Sequence, residues 1–465
     1  MNHEIDVSLT MTEEQHADLF LGLFPGDGLE AVALLLCGRR NGKDRHRLVV
    51  KEVHLLPNDA YLKRSPSRAM WNVDSLLPIL DKAEAKGLSV VKVHSHPNGY
   101  SQFSKWDDES DGKLFPCLKN ADAGIIHASA VMLPGGNMFG RYYGGGQFFP
   151  LERISVVGHD LNIWLGKDSV APIQAFAASH AQAFGAGTTA ILGQLTIAII
   201  GCSGTGSIIA EALARLGAKR IILVDPDIIE PRNVNRIVNS RMLHVSRTKV
   251  SVIAQAIRNM GLGTEVIEFS SDLAQRDAML AVAGSDVVFG CVDSHRGRYI
   301  LNRLATFYTL PYFDIGVRLD AAGGGVGDIR QITGCISYLL PGMSSLLSRE
   351  KISMDRVKAE GLMTDDPTAY TQQVKDGYIR GAQESRPAVI SVNGFASNLA
   401  VNDFLARIHT YREMPNSDIA EIEFCLSGLE MFTEGEANLA QDEGLKAFVG
   451  AGDIEPLLGL PGLIK

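Results

Sequence analysis

Nowhere does the sequence run to about 18 consecutive apolar residues, so none of its segments is long enough to cross a bilayer as a helix. A basic block is missing as well. Its 44 Lys and Arg are outnumbered by 53 Asp and Glu, leaving a net charge of −9 and no cationic arm to track a phosphate backbone. Nucleic acid and membrane are therefore not expected partners. Cysteine is sparse: Cys37, Cys117, Cys202, Cys291, Cys335 and Cys425 lie scattered without a Cys-x-x-Cys pair, which argues against a cysteine zinc knuckle. Four of the six sit in apolar stretches, where a reduced thiol behaves as a small hydrophobe. The opening "MNHEIDVSLTMTEEQHADLF" is polar and acidic and lacks the charged-then-apolar layout of a secretory signal, so a cytoplasmic protein is expected.

What is present is a chain of 465 residues, 46% hydrophobic, long enough for two cores. "LEAVALLLC", "LVVKEVHLL" and "SVVKVHSH" read as strands, "SLLPILDKAEAKGL" as a helix, and "AGIIHASAVML" and "GGQFFPLERISVVG" as further strand-like pieces. They make an α+β domain over 1–155. From 156 to 430 the pattern is α/β. An Ala-rich helix precedes "LTIAIIG", a glycine turn, "SIIAEALARLG" and "AKRIILVDPD", and strands continue to alternate with helices in the manner of a doubly wound, Rossmann-like parallel sheet. Residues 343–385 are polar and weakly patterned, suiting an excursion with short helices and some mobility. "PAVISVNGFASNLAVNDFLARI" reads as an amphipathic helix, and 431–465 forms a tail without a decipherable signal.

Two constellations carry chemistry. In "VKVHSHPNGYSQFSKWDD" the strand period of two turns His94 and His96 to one face, and a short loop could return Asp107 over them. Two nitrogens, a carboxylate and a water make the open zinc site of a hydrolase. Glu30, an acid heading an apolar run, is poorly explained by packing and offers a base. A bare His-x-His pair in a strand is more often not a ligand set; the full string of Glu, His-x-His-Pro and Ser-x-x-Asp is much more specific. It resembles the JAB/MPN (JAMM) metalloprotease family over about residues 20–150. The resemblance implies that His94, His96 and Asp107 ligate zinc, that Glu30 accepts a proton from water, and that Ser104 steadies the oxyanion or the water. The implied reaction is isopeptide or peptide hydrolysis after the C-terminal glycine of a ubiquitin-like protein.

The second constellation starts with Gly201, Gly204 and Gly206 between a strand and a helix, where phosphate can approach backbone N–H groups. Asp225, near the end of the next strand, suits a ribose contact, equally so in an NAD-dependent oxidoreductase. Asn233, Arg236 and Lys249 add polar and cationic groups suited to a triphosphate, and Asp293 can hold magnesium at the sheet's carboxyl edge. The order "GCSGTGS", "LVDPDIIEPRNVNR", "TK", "VDSHRGRYILN" resembles the adenylating domain of ubiquitin-activating enzymes and their bacterial ThiF-like relatives, over about 175–410. ATP-dependent activation of a C-terminal glycine is implied, with Asp225 on ribose, Arg236 and Lys249 on phosphates, Asn233 beside them, Asp293 on magnesium, and Arg298 and Asn302 in support.

Two departures from that pattern stand out. "ASHAQAFG" shows no arginine ahead of its Phe-Gly, and "LPGMSSLLS" puts Ser345 and Ser348 where relatives of this fused type commonly have Cys-x-x-Cys. Transfer could then pass directly to a partner, pass through Ser345 as an oxyester, or be interrupted by a Cys-to-Ser change; "MSSLLS" also suits a helix start capped by Ser344 or Ser345. Cys335, in a strand-like run, reads as core. Together the resemblances imply a two-headed enzyme using zinc, ATP and magnesium, of bacterial origin and commonly homodimeric. Its partners would be a Gly-ending ubiquitin-like protein and a conjugating-enzyme-like protein. A catalytically reduced scaffold of such a pathway is the rival of a different class.

Overall fold

A computed structural model describes residues 5–42, 44–118, 125–166, 175–321, 329–375 and 388–461. The chain divides into two compact units: Met1–Val170 with Phe307–Thr309 and Phe448–Glu455, and Ala171–Thr306 with Leu310–Ala447 and Pro456–Lys465. Among the described residues no helix is long and apolar enough to cross a membrane.

The first unit runs β1 (Asp6–Thr12), α1 (Glu13–Leu23), β2 (Val32–Asn41), β3 (Arg45–Leu55), β4 (Tyr61–Ser65), β5 (Arg68–Trp71), α2 (Leu77–Ala85), β6 (Ser89–Ser95), α3 (Lys105–Leu114), β7 (His127–Met132), β8 (Met138–Gly144), β9 (Gln147–Pro150), β10 (Arg153–Val157) and β11 (Leu161–Leu165). Its described strands, apart from the small β4–β5 hairpin, form one mixed sheet in the order β11-β10-β1-β3-β2-β6-β7-β8-β9. Alternation along β6 sends Val91 and Val93 into the core shared with Leu19 and Leu23 of α1, while Val90 joins Ala83 of α2 and Phe115 on the opposite face. His94, two positions on from Lys92, faces that second side, and the two halves of the metal motif meet there. The polar, acidic N-terminus, to which the sequence pattern assigns no element, supplies β1 and α1: Thr12 Oγ1 accepts from Gln15 N and Gln15 Oε1 from Thr12 N, a capping box. "GGQFFPLERISVVG" is two strands, β9 and β10.

The second unit contains α4 (Ala178–Leu192), β12 (Thr196–Ile200), α5 (Gly204–Arg215), β13 (Arg220–Val224), α6 (Lys249–Met260), β14 (Glu265–Phe269), α7 (Arg276–Ala283), β15 (Val287–Gly290), α8 (His295–Phe307), β16 (Tyr312–Ala321), β17 (Ile329–Leu339), α9 (Met354–Asp365), α10 (Pro367–Lys375), α11 (Ile390–Ile408), β18 (Glu421–Cys425), β19 (Glu430–Glu434) and α12 (Glu443–Lys446). The sheet order is β14-β13-β12-β15-β16-β17-β18-β19, parallel as far as β16 and antiparallel beyond. β12, buried at every residue, has the unbroken apolar run of a strand covered on both faces. Chain order reverses between β12 and β15, the crevice where doubly wound sheets receive ligands. The 343–385 excursion forms α9 and α10, and its end, from 376, lies outside the described residues.

Candidate metal centre and nucleotide crevice

His94 and His96 project from the end of β6 with their Nε2 atoms 3.1 Å apart. Asp107 comes from the first turn of α3, its Oδ1 2.9 Å from His94 Nε2 and its Oδ2 3.5 Å from His96 Nε2. All three are buried, and their donor atoms converge within 4.8 Å of one another. The Ser104-x-x-Asp107 spacing has a local cause: Ser104 caps α3, accepting from Asp107 N at 3.3 Å, while Asp107 Oδ2 accepts from Ser104 N at 2.6 Å. Ser104 thereby aims the carboxylate, and its hydroxyl proton stays available to donate.

The donor set fits a metal such as zinc. His96 Nδ1 lies 2.6 Å from the carbonyl oxygen of Tyr100, which can only accept, so Nδ1 carries a proton and Nε2 is the ring atom left to face a metal. Burial lowers the His96 pKa, but the hydrogen bonds to Asp107 and Tyr100 outweigh it and raise it, so a metal would have to displace the proton on Nε2. Burial lowers the His94 pKa, which favours the neutral imidazole a metal needs. Burial would raise the Asp107 carboxyl, but hydrogen bonds from His94 and His96 hold it well below its ordinary range. Glu30 is buried at the head of β2. Its backbone is clamped by the β4–β5 hairpin, Glu30 N donating to Ser65 O at 2.9 Å and Arg64 Nε to Glu30 O at 2.8 Å. Burial pushes its carboxyl up to about 7, against the opposing charge of His96.

In the other unit the turn after β12 forms the floor of the crevice. Gly201 has φ +91°, and a Cβ there would meet Cys291 O at 2.5 Å; at Gly206 it would meet Gly201 O at 1.9 Å, and at Gly204 the Asn393 side chain. Only glycine lets the chain fold this tightly over β12 and β15. Ser203, before α5, makes no side-chain capping bond, which leaves the helix N-terminus open to an anion. Arg236 lies over Gly204, with Cδ 3.5 Å from a Cβ built there, and its Nη1 donates to Arg232 O at 2.7 Å. Lys249 Nζ is 2.7 Å from Asp227 and 3.6 Å from Asp225.

The remaining residues expected from sequence divide by exposure. Asp225 is buried and already used, Oδ2 accepting from Cys202 N at 2.6 Å and Oδ1 from Asp227 N at 2.9 Å, whereas the Asp227 side chain is 66% exposed. Asn233 is buried and caps its own turn, accepting from Glu230 N at 3.0 Å. Asp293, just past β15, is exposed at the crevice. Arg298 pairs with buried Asp314 at 3.2 Å, and Tyr312 donates to Asp314 at 2.8 Å. Asn302 accepts from Leu346 N at 2.8 Å and so holds the loop after β17. Asn393 and Asp314 went unnoticed in sequence; an Asn in "ISVNGF" and an Asp in "PYFDIG", each polar within an apolar run, were the available signals.

Ser345 is 1% exposed, and its hydroxyl donates to Asp442 Oδ2 at 2.6 Å while accepting from Leu347 N and Ser348 N. The segment forms turns rather than the expected helix start, Ser345 capping the first of them, and its oxygen is buried and engaged rather than presented to an acyl group. Ser348 likewise donates to Ala440 O. Cys335 is half-buried, and burial pushes its thiol up to about 11, away from a thiolate nucleophile. Cys335 also converges with Glu421 and Glu423, where Lys351 Nζ lies 3.0 and 2.8 Å from the two carboxylates and supplies the positive charge.

Residues 177–436 match the ThiF family, and residues 22–141 match the prokaryotic homologs of the JAB domain. The mouse (Mus musculus) adenylyltransferase and sulfurtransferase MOCS3 is 33% identical over 117 residues, which are 24% of this chain and 25% of that protein. Ubiquitin-like modifier-activating enzyme 5 of Drosophila pseudoobscura pseudoobscura is 27% identical over 238 residues, 48% of this chain and 58% of that protein. The matched parts thus amount to between a quarter and somewhat over half of these relatives. The structure of E. coli MccB with succinimide aligns over 57% of this chain and 72% of its own, at 18% identity and a TM-score of 0.43. With one match spanning more than half of its length behind a JAB-like N-terminal domain, the chain belongs to the ThiF family.

Proposed function

We propose that the ThiF half adenylates the C-terminal glycine of a ubiquitin-like protein, and that the JAB-like half cleaves the bond by which that modifier is attached or extended. The observation that carries the first reading is the open N-terminus of α5 over a turn closed by Gly201 and Gly206, at the reversal of strand order. A carboxylate oxygen of the terminal glycine attacks the α-phosphorus of ATP, and pyrophosphate leaves. Arg236 and the α5 N–H groups neutralise phosphate charge, and Asp293, a single exposed carboxylate, suits a magnesium ion shared with the phosphates. Lys249 joins Arg236 at the phosphates, Asn233 keeps their segment in shape, and Asp225 holds the turn under the ribose.

In the other half His94, His96 and Asp107 would hold zinc, which when bound supplies Lewis acidity. Glu30 takes the proton of the attacking water and returns it to the leaving amine. Ser104 donates its hydroxyl proton to the oxyanion. We place this enzyme in the cytoplasm as a homodimer of bacterial origin, with a conjugating-enzyme-like acceptor. Since the Ser345 oxygen is buried, the acyl group passes from the adenylate directly to the partner's nucleophile.

The whole reading is tested by elemental analysis and by ATP–pyrophosphate exchange with a Gly-ending modifier. One zinc per chain, lost on changing His94 or His96 to Ala, and modifier-dependent exchange are expected; a metal-free protein overturns the hydrolase, and absent exchange the activation. Ser345→Ala is expected to leave exchange and transfer intact while costing about 1–3 kcal/mol of stability in a denaturant melt, because Asp442 and two N–H groups lose their partner.

A further inference from the structure

We propose that Lys92 is a positioning residue for the metal centre: paired with Asp111, and with Arg141 on the same carboxylate, it sets the register of α3 on β6 so that Asp107 meets both histidines. The inference rests on the metal reading above.

The two elements that carry the donor set are joined by two parallel rungs. Along β6 the period of two puts Lys92 and His94 on one face, with His96 just past the strand's end; along α3 the spacing of four puts Asp107 and Asp111 on one face, a turn apart. His94 meets Asp107 on one rung, and the Lys92 ammonium meets the Asp111 carboxylate on the other. Lys92 is 2% exposed and Asp111 0%. Lys92 Nζ also donates to Ser110 Oγ at 3.3 Å and lies 5.7 Å from the centre of the Trp71 ring.

Arg141, from β8, closes the arrangement from the far side. Its Nε and Nη2 donate to Asp111 Oδ2 at 3.2 and 2.7 Å, and its Nη1 to Asp108 at 2.6 Å. The guanidinium stacks at 3.9 Å on Phe103, whose ring centre is 6.5 Å from that of His94. A cluster of buried charges at this position is weak as a source of stability, since apolar residues of the same volume usually serve as well; fixing register is the best-attested use of such groups. Register matters because a slip of one helical residue moves a side chain about 1.5 Å along the axis and about 100° around it, by general helix geometry. Asp107 would then leave the ligand shell.

Zinc affinity of the full chain, read by chelator competition beside a thermal melt, separates positioning from folding. Lys92→Met with Asp111→Leu removes one charge of each sign and leaves Arg141 on Asp108 alone; the double variant is expected to fold with a melt somewhat below the wild type and to bind zinc about 10- to 100-fold more weakly. Asp111→Asn, which keeps the shape, is expected to weaken zinc about 10-fold and serves if the double variant does not fold. Wild-type zinc affinity in whichever of these variants folds overturns the inference while leaving the metal centre standing. A wild-type protein that takes up no zinc overturns the metal reading, and the inference with it.

Discussion

Glu30→Gln is expected to lower isopeptide hydrolysis by about 10²- to 10⁴-fold with zinc content unchanged. The amide keeps the size of the side chain and cannot take a proton from water. Glu30 stands outside the convergent set of His94, His96 and Asp107, so metal uptake does not depend on it. Its burial, which pushes the carboxyl up to about 7, makes it a base matched to neutral solution. A divalent cation in the adjacent donor set lowers that value, so the wild-type rate is expected to rise with pH along a limb below about 7, and that limb to vanish in Glu30→Gln. The same assay with a chelator should fall to background and recover on adding zinc. Near-wild-type turnover by Glu30→Gln would transfer the role of base to another group.

Local pattern reaches as far as local causes do. β6, with its histidines, is readable because an apolar run ending in Pro97 is a strand whatever surrounds it. Ser104 and Asp107 are readable through their Ser-x-x-Asp spacing; the capping box behind that spacing, though written in four consecutive residues, was not itself recognised. The same signal stood at Thr12–Gln15 and went unread, since acidic neighbours masked the helix it begins. Pairings between distant segments leave no such trace. Nothing near Lys92 announces Arg141, and nothing near Ser345 announces Asp442, 97 residues on, which turns a plausible nucleophile into a buried cap. Asp225 shows a related limit: its place at a strand end is legible, but its use by Cys202 N depends on how the glycine turn closes. β19, with all five residues exposed, lacks the alternation that would have revealed it, because neither of its faces is covered.

Asp293→Asn is expected to lower ATP–pyrophosphate exchange by about 10²- to 10³-fold while leaving the melting temperature close to wild type. Two carboxylates near the carboxyl edge of the sheet allow this contrast to be drawn. Asp314 is buried, bonded to Arg298 and Tyr312, so its loss leaves a buried guanidinium without its anion and is felt in folding. Asp293 is exposed just past β15, beside the reversal of strand order where the phosphates would lie, and the fold does not lean on it. An asparagine there keeps one oxygen and loses the charge, so a cation shared with the phosphates is held less tightly. Raising magnesium should therefore restore part of the exchange in Asp293→Asn, whereas Arg236→Ala, which removes a positive charge from the phosphates, should gain little from the same addition. If both variants respond alike to magnesium, Asp293 does not hold the cation, and its place at the mouth of the crevice reflects solvation alone.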